Sequence, residues 1–91
     1  LPGSTNRVRL TLGQNEPNPF RGATFIPYRA PAGREGTLSI VDAGGRRVRM
    51  FRLAEPAGVL EVDAAGLTPG VYFYSLQSGG ERRSRKMVVL R

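Results

Sequence analysis

The sequence predicts an all-β protein: a seven-stranded immunoglobulin-like antiparallel β-sandwich. Three observations carry this. Short runs of alternating apolar and polar residues recur along the chain. Clusters of Gly, Pro, Asn, Asp and Ser separate them at roughly 8–12-residue intervals. No stretch repeats its apolar residues at helical spacing. At 91 residues the chain makes one domain with one modest core.

In order, residues 1–6 read as a linker of Pro, Gly, Ser, Thr and Asn, with the domain over 7–91. The opening Leu1-Pro2-Gly3-Ser4 has neither the basic start nor the apolar middle of a signal peptide, and the lack of an initiator Met predicts a piece of a longer protein. Arg7 to Leu12 alternates, so Val8, Leu10 and Leu12 face a core and form the first strand. Gly13 to Phe20 contains Pro17 and Pro19, which lack an amide donor and push their predecessors toward extended geometry. This stretch predicts a semi-rigid loop that delivers Phe20 into the core as a plug. Thr24 to Tyr28 is the second strand, with Thr24, Ile26 and Tyr28 on one face and Pro27 expected at an edge or a bulge.

Ala30 to Gly36 is a loop, and Thr37 to Asp42 a strand with Leu38 and Ile40 inward. Asp42-Ala43-Gly44-Gly45-Arg46 is a tight turn that Asp braces and in which a Gly takes positive φ. Arg47 to Leu53 runs back; its alternation changes face between Met50 and Phe51, which predicts a bulge there. Ala54 to Gly58 is a turn, and Val59 to Asp63 a short strand with Leu60 and Val62 inward. The last third is a hairpin: Gly70 to Leu76, a Ser78-Gly79-Gly80 turn, then Glu81 to Arg91. Tyr72, Tyr74 and Leu76 share one strand face. The Leu67-Thr68-Pro69-Gly70-Val71-Tyr72 approach predicts a tyrosine corner at Tyr72, whose hydroxyl would bond to backbone a few residues upstream. In the last run Met87 and Val89 share one face, Val88 and Leu90 the other.

Composition removes several function classes. The chain has no Cys and no His, so Ser–His–Asp and Cys–His nucleophile sets cannot form, and neither can thiolate or imidazole metal sites. No apolar run approaches the ~20 residues of a membrane-spanning helix. Glu61 and Asp63 form a carboxylate pair at i, i+2, but on an outward strand face without a dry pocket. Asp42 beside Gly44 and Gly45 could offer one ligand of a calcium loop; a plain hairpin turn is the preferred reading. The net charge is +7, and all basic residues but Lys86 are Arg. Arg82, Arg83, Arg85, Lys86 and Arg91 form one basic cluster and Arg46, Arg47, Arg49 and Arg52 another. They could dock on an acidic surface, or merely solvate strand faces and guard a sheet edge.

These residues also carry a resemblance. Leu12-Gly13-Gln14-Asn15-Glu16-Pro17-Asn18-Pro19-Phe20 resembles L-x-Q-N-x-P-N-P-F, the opening of C-terminal sorting domains of the bacterial type IX secretion system. Thr24 to Tyr28 is similar to their T-x-I-x-Y/F, and Leu38 to Val48 to L-x-I-(Y/V)-D-x-x-G-R-x-V. Gly70 to Leu76 is similar to G-V-Y-F-Y-x-L, and Lys86 to Arg91 to the closing K-M-V-L/V-x-K/R. Each motif alone is short, but the five are collinear over residues 10–91. The chain departs in lacking the longer W-x-G-x-x-x-x-G segment of many relatives and in carrying Val41 where Tyr is usual. A related seven-stranded immunoglobulin-like domain caps the flagellar hook.

The resemblance implies a signal rather than an enzyme, with no cofactor. Such a domain directs an upstream cargo domain of the same chain through the periplasm and across the outer membrane of a Gram-negative bacterium, to be secreted or held at the cell surface. It implies the outer-membrane translocon and a surface sortase as partners, with anionic lipopolysaccharide as a further one, and no nucleic acid. Residue by residue, it assigns translocon recognition to Lys86, Met87, Val88, Val89, Leu90 and Arg91, with Gly70, Val71 and Tyr72. It assigns structural motif roles to Gln14, Asn15, Pro17, Asn18, Pro19 and Phe20, and to Asp42, Gly45 and Arg46. A terminal strand at a sheet edge would also offer unpaired backbone groups to a partner. The alternative is a carbohydrate- or surface-binding accessory module of a secreted glycoside hydrolase; the absence of Trp weighs against it.

Overall fold

The computed structural model describes residues 9–31 and 35–91. The linker at 1–6, the first two residues of the expected first strand, and residues 32–34 of the loop before the third strand lie outside these. Among the described residues there are seven strands: β1 (Thr11–Leu12), β2 (Ala23–Arg29), β3 (Gly36–Asp42), β4 (Arg47–Leu53), β5 (Ala57–Asp63), β6 (Gly70–Ser78) and β7 (Glu81–Val89). They form two antiparallel sheets, β1-β2-β5 and β4-β3-β6-β7.

Period-two alternation aims one face of each sheet at the other. Leu12, Ile26 and Val62 meet Leu38, Ile40, Tyr74 and Leu76 between the sheets, all buried. Leu10 is buried too, although it precedes β1 rather than lying in it. Leu60 is only half-buried and packs at the margin of this core. The tight turns form as their residues dictate. Gly79 and Gly80 take φ of 57° and 90°, the left-handed values a two-residue hairpin loop needs. Asp42 Oδ1 accepts the amides of Gly44 and Arg46, and Gly45 has φ of 91°. The Tyr72 hydroxyl donates to the Thr68 carbonyl at 2.7 Å, the expected tyrosine corner.

Two expectations need correcting. The bulge lies not between Met50 and Phe51 but where Ile40 faces Arg49 and Val41 faces Arg47. Val48 is the extra residue; it packs on the core margin, while Met50 is exposed. Arg49, left on the inner side, donates to the carbonyls of Asp63 and Ala65 and ties β4 to the end of β5.

Pro27 is not at an edge: β2 is the middle strand of its sheet. The missing donor is handled locally. Gly13 gives its amide to the Pro27 carbonyl at 2.8 Å, and a β-partner would return the bond, but Pro cannot. The Gly13 carbonyl accepts the Tyr74 hydroxyl instead, at 2.7 Å. That same hydroxyl accepts the Asn15 amide at 2.8 Å. A Cβ at position 13 would stand 2.5 Å from the Pro27 ring, so only Gly lets the two backbones approach. Tyr74 thereby bridges the sheets, its ring in the core and its oxygen completing a bond that Pro27 cannot make.

Burial of the Tyr74 ring pushes its phenol above the usual 10.0, with the bond from Asn15 and the charge of Arg85 opposing. The folded chain therefore holds this proton more tightly than the unfolded chain. The stability it contributes is complete below about pH 10 and is lost as pH rises through the raised value. Melting temperature is expected to fall as pH rises above about 10. Tyr74→Phe should cost about 1–3 kcal/mol at neutral pH, by orphaning the Gly13 carbonyl and the Asn15 amide, and should melt with a shallower alkaline slope. An unchanged slope would assign the loss to other groups. Phe20 is 1% exposed, so Phe20→Ala should cost about 3–5 kcal/mol in chemical denaturation.

Candidate functional site: a terminal strand under a clasp

The terminal motif runs along the end of β7, which pairs with β6 from Ser78↔Glu81 to Gly70↔Val89, and continues past it through Leu90 and Arg91. Alternation divides the terminal motif in two. Met87 and Val89 point inward and are buried, as is Tyr72 on β6. Lys86, Val88 and Leu90 point outward, with Val71 beside Val88 on the neighbouring strand. Gly70 opens β6 at a φ of 148°, opposite Val89. Of the residues expected to carry recognition, Met87, Val89 and Tyr72 belong to the core, and Lys86, Val88 and Leu90 turn their side chains to solvent.

β7 is last in its sheet, yet the edge of its final residues is not open. In an antiparallel ladder, alternate residues turn their backbone groups to alternate sides. Four groups that face away from β6, the Lys86 carbonyl, the Val88 amide and carbonyl and the Leu90 amide, are met by the loop between β1 and β2. The Gln14 amide donates to the Lys86 carbonyl at 2.8 Å. Val88 donates to Asn18 Oδ1 at 2.9 Å. The Phe20 amide donates to the Val88 carbonyl, and Leu90 donates to the Phe20 carbonyl. Arg21 Nε reaches the Arg91 carbonyl at 2.9 Å. Phe20 and Val89 thus make a parallel bridge, and the Phe20 ring drops from it into the core. This corrects the expectation of unpaired backbone groups along the terminal residues: the clasp already supplies that augmentation from within the chain.

The rest of the opening motif holds the clasp in shape. Gln14 also donates to Asn15 Oδ1. Asn15 is 1% exposed and donates to the Pro17 carbonyl and to Thr24 Oγ1. Thr24 gives its own proton to the Pro17 carbonyl. Glu16 exchanges two backbone bonds with Phe25 of β2 before the loop crosses to β7. Pro19 is exposed and makes no bond that would fix a role beyond its place between Asn18 and Phe20.

The basic clusters are divided by the same alternation. Arg83 and Arg85 lie on the inner side of β7, opposite Leu76 and Tyr74, where Arg85 Nε donates to the Leu12 carbonyl at 2.6 Å. Arg82 and Lys86 lie on the outer face. Arg46 pairs with Asp42 at 3.6 Å beside the β3–β4 turn. Asp42 spends Oδ1 on that turn, and among the described residues no cluster of three metal-ligating side chains occurs. Glu61 and Asp63 sit exposed on β5, and Asp63 accepts the Ala65 amide.

A small sandwich that locks its own last strand in place, with the outward half of a basic-apolar motif on show, has the form of a domain that is read rather than one that reacts. The model of the family described as secretion system C-terminal sorting domain matches residues 17–90. The chain belongs to that family. It is a C-terminal sorting signal for type IX secretion, which takes a cargo protein across the outer membrane of a Gram-negative bacterium to be secreted or displayed at the cell surface. The family's role is that of a signal, not a catalyst. No curated protein matches the chain. The family match begins at Pro17, so Gln14 and Asn15 lie outside it although both belong to the clasp.

Asn18→Ala should remove the acceptor of the Val88 amide. Hydrogen exchange at Val88 is expected to speed several-fold, as for a bond of about 1 kcal/mol. Exchange at Met87, whose amide faces β6, should stay as it is. Equal protection of Val88 in the variant would mean that the clasp does not hold that edge.

Proposed function

We infer that the address is read from the folded domain, through the outward side chains of its terminal hairpin. Lys86, Val88 and Leu90, with Val71 beside them, contact the outer-membrane translocon. Met87, Val89, Tyr72 and Gly70 act by holding that surface in register, and Arg91 by closing the clasp through its carbonyl. Gln14, Asn15, Pro17, Asn18, Pro19 and Phe20 form the clasp, and Asp42, Gly45 and Arg46 the turn behind it. The domain itself has no catalytic activity. A surface sortase acts on the passenger that it delivers, and anionic lipopolysaccharide is a partner of that passenger.

The observation that carries this reading is the exposure of Leu90 and Val71, 39% and 38%, beside the Lys86 carbonyl, both Val88 groups and the Leu90 amide, all taken up by the clasp. A partner that meets the folded domain finds side chains there, not free strand groups. Val71, Val88 and Leu90 stand next to one another on one face, and contiguous apolar side chains, unlike scattered ones, mark a surface that a partner covers.

Removing residues 86–91 would not test this, because it also deletes Met87, Val89 and the partners of Phe20. The informative variant is Val88→Ser with Leu90→Ser, set against Met87→Ala. Fused to a reporter in a host with the secretion system, the double Ser variant should keep its circular dichroism and melting temperature and lose surface export. Met87→Ala should lose about 2–5 kcal/mol of stability, with export failing only in proportion to unfolding. Export of the double Ser variant at the native level would place the address elsewhere.

A further inference from the structure

The outer face of the four-stranded sheet carries a charge pattern that the terminal motif alone does not explain. Strand register puts Arg47, Val41, Phe73 and Lys86 in one row across β4, β3, β6 and β7. Two apolar side chains are thus flanked by two cations, and Phe73 is 42% exposed. Two rows further on, Arg52, Thr37, Gln77 and Arg82 line up in the same way. The row between them is Met50, Ser39, Ser75 and Ser84.

No position in these rows is Asp or Glu. The carboxylate of Glu35, outside the rows, comes within 3.9 Å of Arg52, with both side chains largely exposed. Strands stand ~4.8 Å apart and same-face residues ~6.8 Å apart along a strand, so the four cations mark the corners of a square about 14 Å wide.

The opposite outer face leans to the other sign: there Glu16, Phe25 and Glu61 form a row, with Arg29 further along β2 as a cation on that side. A net charge of +7 is therefore not spread evenly. It is collected on the sheet to which the terminal hairpin belongs.

We propose that this face, which shares Lys86 with the terminal address and continues from it, is a further docking surface, used by a protein partner whose own surface is an apolar centre rimmed by carboxylates. The proposal rests on the reading that the folded domain is what is recognised. Like charge excludes pairing of this face with its own copy. The exposed Phe73 and the half-buried Val41 between the cations fit a partner that brings apolar side chains, which a plain phosphate lattice does not. The cations raise the rate of encounter with an acidic partner and set its orientation, while burial of the central row holds the complex.

The test uses the full chain fused to a reporter in a host with the secretion system. Arg47→Glu, Arg52→Glu and Arg82→Glu together leave residues 86–91 untouched. Surface export should fall roughly tenfold or more, with circular dichroism unchanged, and Lys at the same three positions should restore it. If the triple Glu variant folds poorly, Met50→Glu with Ser84→Glu places repulsion on the face with every Arg in place, and should lower export likewise.

Export at the native level in a folded Glu variant overturns the proposal, whatever the Val88→Ser, Leu90→Ser variant does. Failure of that terminal variant to affect export overturns the terminal address and leaves this face standing. Two further results would give the face another occupant and overturn the proposal. One is that Glu16→Lys with Glu61→Lys lowers export equally while the native domain sediments as a salt-sensitive oligomer. The other is that lipopolysaccharide micelles bind the native domain and not the triple Glu variant.

Discussion

The parallel bridge between Phe20 and Val89 is the contact on which the rest depends. It joins a proline-bearing loop from one sheet to the last strand of the other. With it the Phe20 ring enters the core, the Val88 and Leu90 backbone groups are paired, and the loop gains the fixed path that Asn15 and Thr24 then stabilise. Each part alone is weak. The loop has no ladder of its own beyond the Glu16–Phe25 bridge, and an edge strand without cover is prone to pair with foreign chains. Together they close one side of the sandwich, as Arg49 closes the other by reaching from β4 to the carbonyls past β5.

The arrangement resolves a conflict between signal and structure. On the reading proposed for the terminal motif, a short apolar segment has to be accessible, yet an accessible apolar strand with free backbone groups invites aggregation. Here the strand edge is sealed by the chain's own loop, and half the side chains are spent on the core. What remains on show is a restricted set of side chains in a basic setting. Lys86 and the Arg residues keep that surface charged, which opposes unspecific association between copies.

Local chemistry was legible in the residues. Phe20 as a core plug, the tyrosine corner at Tyr72, the Asp42 turn and the Gly79-Gly80 hairpin all follow from residue type at short range, and each is found. So is the inward set of Ile26, Leu38, Ile40, Tyr72 and Tyr74. The misreadings concern contacts far apart in sequence. Pro27 reads as an edge residue because proline breaks a ladder, unless a Gly on one neighbour and a Tyr hydroxyl from the other sheet absorb the defect. The bulge was placed by the run of side chains in β4, whereas the register with β3 set it at Val48. The cover on β7 could not be read at all from its own strand, since its partners lie at Gln14, Asn18 and Phe20. The one available signal was that the opening motif is rich in amides and poor in any other reason for them.

The bond between Asn18 and Val88 spans 70 positions of the chain. A ribosome adding roughly 5–20 residues per second needs about 4–14 s to bring the second partner into being after the first. Through that interval the Phe20 loop has nothing to close upon, and the sandwich cannot be sealed from its first half. A product broken off early carries every residue of the opening motif and still lacks a finished domain. The sealed state thus marks the arrival of the domain's seventh strand, and no shorter stretch of the domain can reach it.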